Sequence, residues 1–182
     1  MHFGPLADLI DKEILPEPSK PSPPAWHSVD APMPATGTPP AVFEADVFNF
    51  LLNHKEPLGI RELWRCKNVR IDGLLALDDG RRVALEVKYK MDWEKACQAC
   101  AQVAWYRKSL MTEDKSLDSG LVVFNEFARD WARTKKSSLV EIGWSNWYAE
   151  HREAEGVRMD LVRLRDGVFE SFPTALAAAQ HE

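Results

Sequence analysis

Asp72, Glu86 and Lys88 are the residues whose types and spacing invite chemistry. Two carboxylates brought face to face repel, and a cation between them removes that cost. Hard oxygen donors with few other partners suit Mg²⁺ or Mn²⁺, ions that also accept phosphate oxygens and water. A lysine beside such an ion can hold or activate an attacking water, or stabilise charge building on a phosphate. Whether the three groups meet depends on the elements that carry them.

Those elements read as a β-hairpin, two alternating segments around a turn at Asp78-Asp79-Gly80. On the first strand Val69, Ile71, Leu75 and Leu77 are apolar, and on the second Val83, Leu85, Val87 and Tyr89 match them. Arg70 and Asp72 alternate with the first set, and Glu86, Lys88 and Lys90 with the second. A two-residue Asp79-Gly80 turn is a strong hairpin signal. It would set Asp72 opposite Val87 and put the apolar sets on opposite faces. A one-residue slip flips every side chain, so the hydrophobic pattern decides. The three-residue loop Asp78-Asp79-Gly80, with Gly80 left-handed, pairs Leu77 with Arg81 and sets Asp72 across from Glu86. Asp72, Glu86 and Lys88 then share one face, over an opposite face that is buried.

Asp72, a spacer, and Glu86-Val87-Lys88 together resemble the D…(D/E)xK signature of the PD-(D/E)XK nuclease superfamily. Arg70-Ile71-Asp72-Gly73 followed by Gln102-Val-Ala-Trp-Tyr106 is similar to its RecB-type exonuclease branch, which carries a QxxxY motif on the next helix. The resemblance covers residues 41–127, with Ile71 standing where the superfamily name has proline. It implies a restriction-endonuclease-like fold, an α/β domain with a central mixed β-sheet flanked by helices. It also implies a metal held by Asp72, Glu86 and the Val87 carbonyl, with Glu44 on an earlier helix as an outer or second-metal ligand. Lys88 would then orient or deprotonate water, and Gln102 and Tyr106 would serve the substrate or the metal shell. The implied activity is phosphodiester hydrolysis, with DNA as the nucleic-acid partner.

Composition bounds these readings. At 182 residues with 45% apolar content, the chain is long enough for one domain with a real core. A formal charge of −5 argues against coating nucleic acid through bulk electrostatics. The charge is uneven, however, with eight Lys/Arg against five Asp/Glu over residues 61–90. Three cysteines give no disulfide framework and too few ligands for an iron–sulfur cluster; Cys97 and Cys100 read as core residues inside a helix. No signal peptide or membrane span is visible, so a cytoplasmic protein with no membrane partner is expected.

Along the chain, Pro5 to Ile14 reads as a short amphipathic helix. Pro16 to Pro40 holds nine prolines in twenty-five residues, a composition that disfavours helix and sheet ladders. Residues 1–40 are therefore read as an arm or linker, and 41–182 as the nuclease-like domain. The PxxP spacings at Pro18–Pro21 and Pro21–Pro24 offer a protein partner a docking point; a plain tether is the other reading. Ala41 to His54 is helical, with Phe43, Val47, Phe50 and Leu51 in one stripe and Glu44 at its border, there solvated or leaning into the site. Ile60 to Cys66 is a first strand or a turn-rich entry. Asp92 caps a helix to about Leu110, on which Gln98, Gln102 and Tyr106 form a polar strip, solvent-facing without the motif and site-facing with it. Leu121 to Phe124 is a strand parallel to residues 83–90. Arg129, Arg133, Lys135 and Lys136 around Trp131 are a solvated face or a phosphate track. Leu139 to Trp147 is ambiguous between strand and helix. Val157 to Phe169 closes as a hairpin at Asp166-Gly167, and a short Ala-rich helix follows Pro173.

Three classes stand on the sequence: a Mg²⁺- or Mn²⁺-dependent nuclease, a catalytically inactive nuclease-fold binding or scaffolding subunit, and an interaction module using the proline arm. A homo-oligomer is compatible with all three.

Overall fold

The structure, a computed structural model, describes residues 25–67, 71–109, 117–128, 153–154 and 157–179. The expectations for Pro5–Ile14, the PxxP spacings, Val69, Arg70, the Arg129–Lys136 basic stretch and Leu139–Trp147 lie outside these residues.

The chain forms an α/β structure in which one mixed sheet carries helices on both faces. Its elements are β1 (Trp26–Ser28), α1 (Pro39–Asn53), β2 (Ile60–Cys66), β3 (Gly73–Leu77), β4 (Arg82–Met91), α2 (Trp93–Ser109), β5 (Ser119–Phe127), β6 (Glu153–Ala154), β7 (Val157–Arg165), β8 (Val168–Ser171) and α3 (Phe172–Ala179). The strand order is β1-β2-β3-β4-β5-β7-β6, with β8 also paired to β7. The pairs β4–β5 and β5–β7 are parallel and the others antiparallel. The parallel pair β4–β5 needs a crossover, which α2 supplies.

The β3–β4 register is the one the apolar pattern selects. Leu75 faces Val83, Gly73 faces Leu85, and the Leu77 N–H donates to the Arg81 carbonyl at 2.8 Å. Gly80 has φ +89°, the left-handed position that closes a three-residue loop. Leu75, Val83 and Leu85 then bury against Phe43, Val47, Phe48 and Leu51 of α1.

The Asp72–Glu86 face is buried as well as the opposite one, with Leu74, Ala84 and Tyr106 packed together on it. Parallel strands lie in the middle of a sheet and are covered on both sides, so α2 closes the face the alternation marks as polar. Ile71 also joins that second cluster rather than the Leu75 set. Residues 71–72 precede the strand proper, so strict alternation does not reach Ile71.

The proline-rich stretch also departs from expectation. Trp26–Ser28 pairs antiparallel with β2, Trp26 opposite Cys66 and Ser28 opposite Trp64. Val29 is buried. Asn49 clasps Met33, accepting from its N–H at 2.6 Å and donating to its carbonyl at 2.9 Å. The run from Ala25 to Ala31 is free of proline, and an edge strand tolerates proline nearby because only one side is paired. Pro39 and Pro40 open α1 at its first positions, where a missing N–H costs nothing.

Among the described residues, three clusters fill the interior: one under α1, one joining α2 and α3 to β5 and β7, and a smaller one around Tyr106 and Leu74. Cys100 belongs to the second, with Cys97 packed beside it. Burial pushes the Cys100 thiol up to about 12, so it behaves as an apolar core residue. Among the described residues, no helix is long and apolar enough to cross a membrane.

Candidate active site

Asp72 lies one residue before β3. The β3–β4 ladder ends with Gly73 opposite Leu85, which places Asp72 next in line, across from Glu86. In an antiparallel pair, alternate residues turn both N–H and C=O toward the neighbouring strand. Val83, Leu85 and Val87 form that set on β4. With β3 absent beyond Gly73, the Val87 N–H is taken by the Asp72 side chain, donating to Oδ2 at 2.7 Å. The Cys66 N–H donates to the Asp72 carbonyl at 3.0 Å. Asp72 is thus held from both neighbouring strands.

Glu86 is 2% exposed. Lys88, two residues on and therefore on the same face, donates to Glu86 Oε1 at 2.5 Å. The Tyr106 hydroxyl donates to Glu86 Oε2 at 3.4 Å. Lys88 also donates to the Gln102 side-chain oxygen at 3.2 Å. Gln102 and Tyr106 are one helical turn apart, so both reach the site from α2. Gln98, one turn earlier, is exposed and donates to Glu94 at 3.1 Å. The polar strip therefore divides, two residues entering the site and one remaining outside. The geometry that seats α2 is tight: a Cβ on Gly120 of β5 would lie 2.5 Å from Val103 Cγ1.

The electrostatics of the pair are unbalanced. Burial and the facing Glu86 charge push the Asp72 carboxyl up to about 7, with Glu44 adding to the rise. The Val87 N–H and the Lys88 charge pull the other way and lose. Glu86 is raised by burial as well, against the Lys88 ammonium and the Tyr106 hydroxyl. Two carboxyls are therefore held together at a cost that one lysine does not offset.

Glu44 reaches this neighbourhood differently from the expectation. Its Oε1 accepts from Arg65 Nε at 2.8 Å and lies 2.7 Å from Arg65 Nη2. Glu44 acts on Asp72 through its charge while its own oxygen is engaged by a guanidinium. Among the described residues, no three His, Cys, Asp or Glu side chains converge closely enough to hold a metal ion. Of the expected group Glu44, Asp72, Glu86 and Val87, the structure brings Asp72 to the Val87 backbone beside Glu86, while Glu44 is engaged by Arg65. Sequence reasoning does not single out Arg65. Its one signal is that it stands two residues after Leu63 on β2, and so on the same face, in a strand that the Pro57-Leu58-Gly59 break makes hard to read.

The donor set fits a hard divalent cation. It offers carboxylate oxygens and a carbonyl, with no thiolate or imidazole among the residues named. The Val87 carbonyl leaves the strand on the same edge as the N–H that binds Asp72. A positive charge there would neutralise the repulsion that raises Asp72.

Compared with known proteins, the chain matches no family model, no curated protein and no solved structure.

Proposed function

We propose that the chain is a divalent-metal-dependent nuclease with a restriction-endonuclease-like fold, hydrolysing phosphodiester bonds of DNA. One observation carries this reading: a strand N–H holds Asp72 beside Glu86, its carboxyl raised to about 7, with Lys88 on the same face. Ordinary surface acids are not fixed against one another at such a cost. The order of parts also agrees with the resemblance: Glu44 on a preceding helix, Asp72 and Glu86-Val87-Lys88 on a hairpin, Gln102 and Tyr106 on the helix after it.

Asp72, Glu86 and the Val87 carbonyl would hold Mg²⁺ or Mn²⁺. When bound, such an ion acidifies water and neutralises charge on phosphate oxygens. The remaining roles belong to the chain. Lys88 Nζ donates to both Glu86 and Gln102, a position from which it can orient an attacking water or meet a phosphate oxygen. Gln102 fixes the lysine head by accepting from it. Tyr106 holds Glu86 Oε2 and Lys88 holds Oε1, so the carboxylate is fixed in place for the ion it would bind.

The test is cleavage of linear, circular and single-stranded DNA with Mg²⁺ or Mn²⁺, beside calorimetric titration of either ion. Metal-dependent cleavage lost in Asp72→Asn is expected. A protein that binds neither ion and cleaves nothing would end the reading, and one that binds DNA without cleaving would be a nuclease-fold binding subunit.

A further inference from the structure

On the face of the sheet that carries Glu86, α2 packs against β4, β5 and β7, and α3 against β7 and β8. Beyond α2, over β1, β2 and β3, lies a cleft of about 310 Å³ lined by Trp26, Arg61, Glu62, Trp64, Leu74 and Arg82. Trp26 and Trp64 are partly exposed, and both pack their inner edges on the cluster that contains Tyr106 and Leu74. That shared cluster puts the indoles on the Glu86 side. Trp64 is paired with Leu74, and Leu74 with Ala84. Ala84 stands two residues before Glu86, roughly 7 Å along the strand. The cleft therefore lies on the same face as the candidate site, its Trp64–Leu74 wall one two-residue step from the Glu86 row, and reaches to the sheet edge at Trp26.

We propose that this cleft is a docking site for single-stranded nucleic acid leading into the Asp72–Glu86 site. The inference rests on the nuclease reading for the class of ligand, while the cleft itself does not. Indole faces offer sequence-tolerant stacking platforms for unpaired bases, and guanidinium groups beside them meet the phosphates. Arg61 and Arg82 outnumber Glu62 in the lining, against a chain whose formal charge is −5. Arg61 holds Glu62 only loosely, at 3.5 Å, with both side chains about half exposed, 55% and 48%. It can turn to a phosphate at little cost. The bases of a duplex stay stacked on each other and cannot enter a concave cleft, whereas a single strand can splay one out.

The experiment is fluorescence anisotropy of a fluorescein-labelled oligo-dT of about eight nucleotides, with EDTA present so that nothing is cleaved. Wild type is expected to bind it in preference to a duplex of equal length, and oligo-rU alongside separates DNA from RNA. Trp64→Leu and Trp26→Leu should each weaken binding by about 5- to 150-fold, the worth of one base–aromatic stack. Arg61→Gln should make the plot of log affinity against log salt shallower by about 0.7, one phosphate contact on a single strand. Thermal melts report whether each variant is folded; if Trp64→Leu is not, Trp26→Leu on the edge strand and Arg61→Gln decide. Folded tryptophan variants that bind as wild type does, or a preference for duplex, would overturn the inference. Cleavage without tryptophan-dependent binding removes this inference and leaves the nuclease reading standing. Tryptophan-dependent binding by a protein that cleaves nothing does the reverse.

Discussion

The Val87 N–H donates to Asp72 Oδ2 at 2.7 Å, and this bond positions the acid beside Glu86. A strand that continued past Gly73 would have given Val87 a backbone partner instead. Because β3 starts only at Gly73, a side chain takes the vacated place in the ladder. Hydrogen bonding of this kind favours the charged carboxylate, while burial and a like charge favour the neutral acid. At Asp72 the second pair prevails, and the carboxyl rises to about 7.

A pH dependence follows for the metal-free protein. Between the ordinary carboxyl value of 3.8 and about 7 the folded state binds a proton at Asp72 that the unfolded chain has released. Stability contributed by this group is present below the unfolded value and falls as pH rises through the folded one. Each tenfold difference in proton affinity between the two states is worth about 1.4 kcal/mol, so the loss is on the order of a few kcal/mol. Asp72→Asn should flatten the decline, and so be more stable than wild type at pH 8 in EDTA. Melting temperatures at pH 5, 6.5 and 8 check this, and parallel curves for the two proteins would contradict it.

The hairpin was legible because its constraint is local: apolar alternation on both strands fixes register, and register fixes which side chains face each other. Gln102 and Tyr106 were legible only through the resemblance, since four-residue spacing cannot say which border of a helix faces a site. Trp26–Ser28 was hidden by composition, because an edge strand needs a few proline-free residues and a partner, and the partner is distant in sequence. The Arg65–Glu44 pair was hidden by the same distance: two residues 21 apart meet only after α1 folds over β2.

Two substitutions separate the roles of Glu86 and Lys88. Glu86→Gln keeps shape and removes a carboxylate, so divalent affinity and cleavage should fall together. Lys88→Ala removes a charge that opposes a metal, so affinity should hold or tighten. Cleavage should nevertheless slow by roughly 10²–10⁴-fold, the range of a general acid–base group. Without metal, the same variant leaves Glu86 buried without its ion-pair partner, and should melt lower. Added Mg²⁺ should recover more stability in Lys88→Ala than in wild type. Calorimetry beside single-turnover cleavage reads both, and parallel losses in the two variants would refute the division.

Truncation distinguishes two parts of the N-terminal stretch. Removing residues 1–38 deletes β1, buried Val29 and the Met33–Asn49 clasp. That should cost on the order of 2–4 kcal/mol through lost burial and hydrogen bonds. Removing residues 1–24 spares all three and should leave the melting temperature within a few degrees of wild type. Equal melting of the two truncated chains would show that β1 contributes little.

Gly73→Ala tests the backbone that carries Asp72. A Cβ at Gly73 would lie 2.8 Å from the Trp64 carbonyl and 2.9 Å from Phe48 Cζ. Neither neighbour yields easily: the carbonyl is β2 backbone, and Phe48 is a fully buried side chain of α1 itself. Relief requires β3 to move from β2 or α1 to lift, at a cost of about 1–3 kcal/mol. Any such movement also drags Asp72, the adjoining residue, away from the Val87 N–H. The variant should therefore lose divalent affinity as well as stability, although it changes no polar group. Gly80→Ala is the control. Its φ of +89° makes a side chain strained, but nothing lies within 4 Å of the added atom. It should cost about 1 kcal/mol and leave the affinity alone. Melting curves and Mn²⁺ titrations of both variants decide. A Gly73→Ala protein that binds metal as wild type does would show that close packing at β3 does not set the position of Asp72.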